Sequence, residues 1–235
     1  MKSLIHRILY RTLPLGGYLR AVSRLFFLWQ RLGIGRRAPA TEYVYHLASL
    51  VRKGDVCIDI GANLGYYTRT LSRLVGPAGR VLAVEPMPPM LEVLRRNTRR
   101  CRNVEILPYA LGEEEHTVRM ANDSACATGY LGTGQNFVDE RGTARGVAFE
   151  AEMRRGSRLD FVKCDIEGYE LHVMREMQPL LERLRPVVLI ETGGENRPEI
   201  IRLFTAMGYA GFTLDNGREV PLAVGSTKDI IFRPQ

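Results

Sequence analysis

Acidic side chains follow apolar, strand-like runs at several points of this chain, and the first of them precedes a glycine-rich turn. The stretch VCIDIGANLGYYT (56–68) places Asp59 near the end of such a run, before Gly61 and Gly65 and an apparent helix start. In open α/β sheets, ligands bind beyond the carboxyl ends of the strands, where a helix N-terminus offers unpaired N–H groups. This turn is therefore the first candidate for a binding site.

The residue types in the turn favour a cationic ligand over a pyrophosphate. A dinucleotide motif GxGxxG would need glycines where the chain has Asn63 and Tyr66, and a P-loop would need Lys and Ser or Thr where it has Tyr66 and Tyr67. A carboxylate from Asp59 would also repel a pyrophosphate. Glu85, at the end of the next predicted strand, offers the two acceptor oxygens that a ribose diol requires. A cation and a ribose diol in one crevice indicate S-adenosylmethionine.

A second pair of acids follows the apolar run LDFVKCDI (159–166). Asp165 and Glu167 are two residues apart, so an extended backbone places both carboxylates on one side. Methyl transfer to a hydroxyl releases a proton, which a carboxylate or imidazole can accept. We predict Asp165 or Glu167 as this base, with His46 as the reserve candidate. The alternatives are helix capping for the acids, packing for the histidine, and Mg²⁺ binding, which is not favoured.

The order of the remaining elements predicts the frame that positions these residues. From Tyr43 onward, short apolar runs alternate with amphipathic stretches, which is typical of a parallel sheet with helices on both faces. The chain closes with GFTLDNGREVPL and KDIIF, where Asn216 and Gly217 signal a turn, so we expect an antiparallel pair at the sheet edge. The predicted strands are 56–60, 80–85, 104–111, 159–166 and 186–191.

Four motifs occur in this order along the chain: DIGANLGYYT, VLAVEPMP, NVEILPYALG and FVKCDIEGYE. Together they resemble the FkbM family of S-adenosylmethionine-dependent methyltransferases, over roughly residues 42–192. The resemblance implies a class I methyltransferase (Rossmann-like) α/β fold, a doubly wound sheet with strand order 3-2-1-4-5-7-6 and an antiparallel last strand. The family also carries a Thr-Leu-Asp stretch before its fourth strand, where this chain reads GVAFEAEMRRGSRLD.

The resemblance also implies roles for individual positions. Glu85 would hold the ribose of the cofactor, Ala110 and Leu111 would lie near its adenine, and Asp165 and Glu167 would face the reaction centre. The positions around the methionine part of the cofactor would be Asp59, Gly61, Ala62, Asn63 and Gly65.

The formal charge of +7 is concentrated at the N-terminus. Residues 1–37 contain no acid and eight basic residues, which are Lys2, Arg7, Arg11, Arg20, Arg24, Arg31, Arg36 and Arg37. Removing these eight from the 33 basic residues leaves 25 against 26 acidic residues, so the rest of the chain is nearly neutral. Nucleic-acid binding by the domain is therefore not indicated.

We expect two units, a basic amphipathic arm (1–40) and a methyltransferase domain (41–235). The longest apolar run of the arm, LFFLW, is far shorter than the roughly 20 residues of a membrane span, and no secretory signal pattern is present. The arm is predicted either to lie on an anionic membrane surface or to pack on the domain as a lid or flanking helix. Its predicted apolar side consists of Leu25, Phe26, Leu28, Trp29 and Leu32.

The four cysteines form no CxxC pair or Cys/His cluster, which is typical of structural thiols in a reducing compartment. We expect a cytoplasmic enzyme, with peripheral attachment to the inner face of the membrane left open. The leading hypothesis is O-methylation of a hydroxyl on a sugar, glycolipid or secondary metabolite. Two alternatives remain: a non-catalytic membrane- or partner-binding module with the same fold, and a nicotinamide-dependent oxidoreductase.

Overall fold

A computed structural model describes most of the chain as an α/β fold with an N-terminal pair of helices. The residues that it describes are 2–111, 117–118, 120–121, 137–138, 144–147, 158–166, 168–222 and 228–235.

Eight α-helices lie within the described residues: α1 (Lys2–Thr12), α2 (Leu15–Arg31), α3 (Glu42–Leu50), α4 (Tyr66–Val75), α5 (Pro88–Thr98), α6 (Glu170–Glu176), α7 (Gln178–Leu184) and α8 (Arg197–Ala206). A short 3₁₀ helix, Gly194–Asn196, precedes α8. The described strands are β1 (Val56–Ile60), β2 (Arg80–Val84), β3 (Val104–Leu107), β4 (Ala110–Leu111), β5 (Thr117–Val118), β6 (Met120–Ala121), β7 (Phe137–Val138), β8 (Ala144–Val147), β9 (Phe161–Cys164), β10 (Val187–Glu191), β11 (Tyr209–Asp215), β12 (Arg218–Pro221) and β13 (Asp229–Pro234).

The main sheet has eight strands in the order β12-β11-β13-β10-β9-β1-β2-β3. Strands β3, β2, β1, β9 and β10 are parallel to their neighbours in this series, and β13 runs antiparallel to both β10 and β11. Seven of the eight strands reproduce the order 3-2-1-4-5-7-6, and β12 adds a strand at the edge. The predicted class I methyltransferase fold with an antiparallel last strand is therefore confirmed.

The end of the chain forms antiparallel strands at the edge of the sheet, as predicted. Strands β11 and β12 form the edge hairpin, and its turn residues Asn216 and Gly217 have φ angles of 50° and 77°, as in a tight two-residue turn. Strand β13 is inserted between β10 and β11, as the predicted order 5-7-6 requires. The physical reason is that Ile230, Ile231 and Phe232 are all buried, so both faces of this strand need a covered, interior position.

The strand residues alternate between two apolar layers, one on each face of the sheet. Ile58 of β1 belongs to a core cluster with Met174 and Phe204 from the helices α6 and α8. Its neighbour Cys57 belongs to the opposite cluster, with Leu47 of α3. Because both faces are covered, the strands are almost continuously apolar, and the carboxyl ends of the parallel strands remain as the place where polar side chains can gather.

The N-terminal arm packs on the domain, which was one of its two predicted roles. Helix α2 buries Tyr18 and Leu19 in a cluster with Met90 of α5. At its other end, Gln30 Nε2 donates a hydrogen bond to Thr70 Oγ1 of α4 at 2.8 Å. Each fully buried large apolar side chain stabilises the fold by about 1.5–3 kcal/mol. The second half of the arm is therefore a flanking helix of the fold.

The buried face of α2 agrees with the predicted one only in part: Phe26 packs against the core, and Leu25 and Trp29 are half-buried. Leu28 and Leu32, which the sequence assigns to the apolar side, are 53% and 64% exposed. The helix also turns Leu19 and Val22 inward, because these positions face α5 and the glycine-rich turn. In the described part of the chain, every helix is too short or too polar to cross a membrane.

Candidate active site

The glycine-rich turn that follows β1 lies directly against the end of β9. Gly61 has a φ of 75°, and a Cβ atom at this position would lie 1.9 Å from the backbone oxygen of Asp165. Glycine is therefore required at residue 61 for both its backbone angle and its close approach. The backbone N–H groups of Gly61 and Ala62 donate to Val84 O at 3.0 and 2.9 Å, which ties the turn to the end of β2.

The rest of the turn is left-handed and leads into helix α4. Asn63 has a φ of 53° and Gly65 a φ of 87°, and α4 starts at the next residue. Asn97 Nδ2 of α5 donates to Leu64 O at 2.8 Å and holds the turn from the outside. The turn thus presents the N-terminus of α4 to the edge of the sheet where the strands end.

Glu85 follows β2 and is fixed toward the turn by both of its carboxyl oxygens. Its Oε2 atom accepts a hydrogen bond from the backbone N–H of Asn63 at 2.7 Å, and its Oε1 atom accepts one from Met87 at 2.9 Å. Burial raises the pKa of Glu85 to about 7, although these two hydrogen bonds act in the opposite direction. The carboxyl group is thus held in place and titrates near neutrality.

Lys163, in the middle of β9, is buried between two carboxylates. Its Nζ atom lies 3.5 Å from Asp59 Oδ1 and 3.4 Å from Asp165 Oδ2, and it donates to Gly61 O at 3.0 Å. Burial by itself would lower the pKa of Lys163, but the charges of Asp165 and Asp59 outweigh this effect and raise it. A charged lysine thus joins β1, β9 and the glycine-rich turn.

The carboxylate of Asp59 has a different orientation from the one expected. The side chain is completely buried, and its Oδ2 atom accepts a hydrogen bond from Thr68 Oγ1 at 2.6 Å. The carboxylate therefore lies beneath the turn, between Thr68 and Lys163, and does not point into the crevice. A direct contact of Asp59 with a cofactor stays a prediction.

Three carboxyl groups from different strand ends lie together beside the turn. Glu191 ends β10 and Asp229 begins β13, and the two are paired across these antiparallel strands. Burial raises the pKa of Glu191. The nearby charge of Asp165 and a hydrogen bond between the two side chains raise it further. Burial raises the pKa of Asp229 to about 7, with further contributions from Glu191 and Asp165. These groups form the carboxylate wall: Asp165, Glu191 and Asp229.

A cavity of about 510 Å³ joins the glycine-rich turn to this carboxylate wall. Its polar lining consists of Thr41, Asn63, Lys163, Asp165, Glu191, Lys228 and Asp229. Its apolar lining includes Phe26, Val44, Tyr66 and Tyr67, so helices α2 and α3 contribute to the cover of the cavity. The described residues contain no group of three or more His, Cys, Asp or Glu side chains arranged to hold a metal ion.

The structure does not bring His46 to this cavity. The ring lies on α3, where its Nε2 atom is 2.7 Å from Glu219 Oε1 of the edge strand β12 and 2.8 Å from Ser49 Oγ. Position 46 is absent from the described lining, whereas Val44 of the same helix is part of it. The contacts of His46 are therefore structural, and its assignment as a reserve base gains no support.

The other predicted positions have three different outcomes. Glu167 lies outside the described residues. Asp165 is in the cavity wall, as expected for a residue that faces a reaction centre. Ala110 and Leu111 form β4 just after β3, at the same edge of the sheet as the turn, and pair with β8. Their predicted proximity to an adenine stays a prediction.

Sequence reasoning missed four charged residues of the cavity lining, which are Lys163, Glu191, Lys228 and Asp229. Lys163 was recognisable as a charged residue within an otherwise apolar strand, where it needs a partner. Glu191 ends the fifth strand just as Asp165 follows the fourth, so the strand-end argument applied to it as well. For Asp229, the implied strand order placed the last strand beside the fifth, but the register that pairs Asp229 with Glu191 was not predictable from the sequence.

Comparisons with known proteins agree with this arrangement. The family model described as the methyltransferase FkbM domain matches residues 59–210. The structure of methyltransferase FkbM from Methylobacillus flagellatus KT superposes with a TM-score of 0.53 at 17% identity, covering 78% of this chain and 45% of that chain. Methyltransferase sdnD of Sordaria araneosa is 24% identical and covers 72% of this chain and 78% of that protein.

A shorter similarity involves protein-L-isoaspartate O-methyltransferases. That of Methanothrix thermoacetophila is 34% identical over 73 residues, which are 30% of this chain and 35% of that protein. The enzyme of Aeropyrum pernix is 31% identical over 84 residues, which are 35% of this chain and 32% of that protein. The chain thus matches about a third of the length of each of these two relatives.

The strand order and the crevice beside the glycine-rich turn define a class I methyltransferase fold. Because the FkbM domain match spans more than half of the chain, the protein belongs to the FkbM family of S-adenosylmethionine-dependent methyltransferases. The family predicted from the four motifs is confirmed. The match gives no support to the oxidoreductase alternative, which the missing glycines had already weakened.

Proposed function

We propose that this protein transfers the methyl group of S-adenosylmethionine to a hydroxyl group of a small-molecule, sugar or glycolipid acceptor. The observation that supports this most directly is the carboxylate wall of Asp165, Glu191 and Asp229, which meets the glycine-rich turn in one cavity. Carboxylates attract the positive charge of a sulfonium and accept hydrogen bonds from acceptor hydroxyls. One cavity can therefore hold both reactants.

The described residues fit this cofactor in shape and charge. Gly61, Ala62 and Asn63 of the turn line the cavity, and the Glu85 carboxyl is held beside the turn by Asn63, where it would accept hydrogen bonds from a ribose diol. When bound, the cofactor supplies an electrophilic methyl group on a sulfonium. The residues that would hold the cofactor are Gly61, Ala62, Asn63, Gly65 and Glu85. Asp59 would act from beneath the turn through Lys163, and Ala110 and Leu111 would lie on the adenine side.

The proton of the acceptor hydroxyl needs a base in the cavity. Asp229 has the required property, since its pKa is raised to about 7, and a general base works best when its pKa is near the working pH. Asp165 is engaged by Lys163 at 3.4 Å, which suits it to orienting a hydroxyl. We assign the role of base to Asp229 and that of hydrogen-bond acceptor to Asp165, with Glu191 between them.

Ligand-dependent thermal unfolding tests the cofactor. A ligand that binds only the folded state stabilises it by about 2.7 kcal/mol at 100 times its Kd. S-adenosylhomocysteine should raise the midpoint, NAD should not, and Glu85→Ala should reduce the shift. Glu182→Ala, an exposed position on α7, is the matched control and should keep it. A midpoint raised by NAD and not by S-adenosylhomocysteine would contradict the assignment.

Transfer of labelled methyl groups to a panel of acceptors tests the chemistry. We expect label in methyl ethers of sugars, glycolipids or other hydroxylated compounds, and a kcat about 10²–10⁴-fold lower for Asp229→Asn. Asp215→Asn, at the exposed end of β11, should retain activity. Label found only in amines would overturn the choice of acceptor while leaving the cofactor assignment intact. Cofactor binding without turnover on any acceptor class would favour the non-catalytic module.

A further inference from the structure

The exposed large apolar side chains of the described residues all belong to the N-terminal 34 residues. They are Leu4, Ile5, Ile8, Leu13, Leu15, Leu28, Leu32 and Ile34. The same segment has basic residues and no acid. Single exposed apolar residues need no explanation, but a cluster of them among arginines is typical of a surface that meets an anionic membrane.

Four arginines line a second cavity, which lies between α2, α3 and α4. Arg31 and Arg36 come from the end of α2 and the loop after it, and Arg69 and Arg73 come from α4. The cavity has a volume of about 330 Å³, and no acidic residue is part of its described lining. Arg69 and Arg73 are four residues apart on one helix, a like-charge spacing that destabilises a helix unless an anion lies between them.

The contacts around this cavity give it a defined shape. The guanidinium carbon of Arg69 lies 4.0 Å from the centre of the Phe27 ring, which holds this side chain against α2. Tyr45 Oη donates a hydrogen bond to Ile34 O at 2.8 Å and fixes the loop that carries Arg36. Arginine binds phosphate oxygens with paired N–H groups, so the cavity suits a phosphate group.

Exposed apolar side chains near Arg31 and Arg36 in the chain indicate the source of that phosphate. Leu28 precedes Arg31 by one helical turn, Leu32 follows it directly, and Ile34 lies between Arg31 and Arg36; these three side chains are 50–64% exposed. A free phosphate or a nucleic acid would make no use of three exposed aliphatic groups, and outside residues 1–37 the chain is nearly neutral. A phospholipid offers both a phosphate and an apolar interior.

We propose that residues 28–36, together with Arg69 and Arg73, form a docking surface for an anionic phospholipid membrane. The four arginines bind lipid phosphates, and Leu28, Leu32 and Ile34 enter the layer beneath the headgroups. Val44 lines both this cavity and the larger one, so docking brings the larger cavity close to the membrane surface. The proposal does not depend on which compound accepts the methyl group.

Co-sedimentation of the full chain with vesicles tests this surface. The vesicles are phosphatidylcholine alone, or phosphatidylcholine mixed with phosphatidylglycerol. Each arginine near an anionic surface contributes roughly a fivefold gain in binding, so Arg36→Gln with Arg73→Gln should weaken binding to the anionic vesicles by roughly 25-fold. The matched control is Arg99→Gln with Arg100→Gln, two exposed arginines outside the cavity with the same change in charge, which should lose much less.

A second pair of variants separates insertion from charge. Leu28→Gln with Leu32→Gln keeps the charge and should also weaken binding to anionic vesicles, with an unchanged midpoint of thermal unfolding. The proposal is overturned if the arginine pair and its control lose binding equally, if neutral vesicles bind as strongly as anionic ones, or if the leucine pair binds normally. It is also overturned if inorganic phosphate raises the unfolding midpoint while no vesicle is bound, because the cavity would then hold a small anion.

Discussion

Replacement of Lys163 by methionine tests whether one buried cation organises the site. Lys163 is 4% exposed and is the cation between Asp59 and Asp165. Methionine preserves most of the side-chain volume and removes the charge, so Asp59 remains completely buried with a hydrogen bond from Thr68 and no counter-ion. Removing one partner of a buried ion pair costs about 3–5 kcal/mol, and we expect Lys163→Met to lower the free energy of unfolding by that amount.

Urea denaturation with wild-type and variant proteins measures this loss. The m-value should stay constant, so that a lower midpoint reports stability. Asp59→Asn combined with Lys163→Met removes both charges and should be less destabilising than the sum of the two single changes, with a coupling energy of about 0.5–3 kcal/mol. Lys228→Met is the control: Lys228 is 71% exposed, lies 3.7 Å from Glu191, and should contribute no more than about 1 kcal/mol.

The same variant should also weaken binding of S-adenosylhomocysteine, because Lys163 holds the carbonyl oxygen of Gly61 in the turn. Titration calorimetry at a temperature where the variant is folded gives the affinity. If Lys163→Met lost no more stability than Lys228→Met, and the double variant were strictly additive, the buried ion pair would not be what holds β1, β9 and the turn together.

Three further outcomes follow from the structure. Gly61→Ala should lower the free energy of unfolding by more than about 2 kcal/mol in urea denaturation and abolish binding of S-adenosylhomocysteine. Gly54 also has a positive φ, of 86°, but no atom lies within 4 Å of the new Cβ, so Gly54→Ala should show only the cost of the backbone conformation. Equal losses of stability in the two variants would refute the clash at Gly61. The pKa of Asp229 is raised from 3.8 to about 7, so its contribution to stability is fully present below about pH 4 and is lost as the pH rises through about 7. Asp229→Asn should flatten this fall in thermal melts between pH 4 and 8, and an unchanged slope would show that the carboxyl does not titrate there. Leu19→Ala in α2 should cost about 2–5 kcal/mol and Leu15→Ala, which is 40% exposed, much less; similar small losses for both would mean that α2 is not part of the core.

Several elements of the fold were predictable because their signals are local. VCIDI is a strand over residues 56–60, as predicted, since its apolar run ends at a glycine with a positive φ. The turn at Asn216 and Gly217 is equally local, because both residues tolerate the left-handed backbone of a tight hairpin. The predicted strand 159–166 is shorter in the structure, over Phe161–Cys164, because propensity does not specify where the pairing with β1 and β10 stops.

The face of helix α2 shows the opposite situation. The apolar residues of this arm occupy more than one side of the helix, so periodicity could not decide which of them would be buried. Contact with α5 selects Tyr18 and Leu19, which leaves Leu28 and Leu32 exposed. The arm therefore contains a flanking helix of the fold, which is one of the two roles predicted for it, and its membrane role stays a prediction.

By itself, the sequence determined the family, the doubly wound sheet, and the position of the crevice at the ends of β1 and β2. Motifs and periodicities carry this information because they depend on neighbouring residues. Only the tertiary structure decided that Lys163 joins Asp59 to Asp165 and that Asp229 faces Glu191. Asp229 and Glu191 are 38 positions apart in the chain. The family resemblance implies that β13 lies between β10 and β11, but the register that pairs these two residues is set by the packing of this buried strand, which no local pattern specifies.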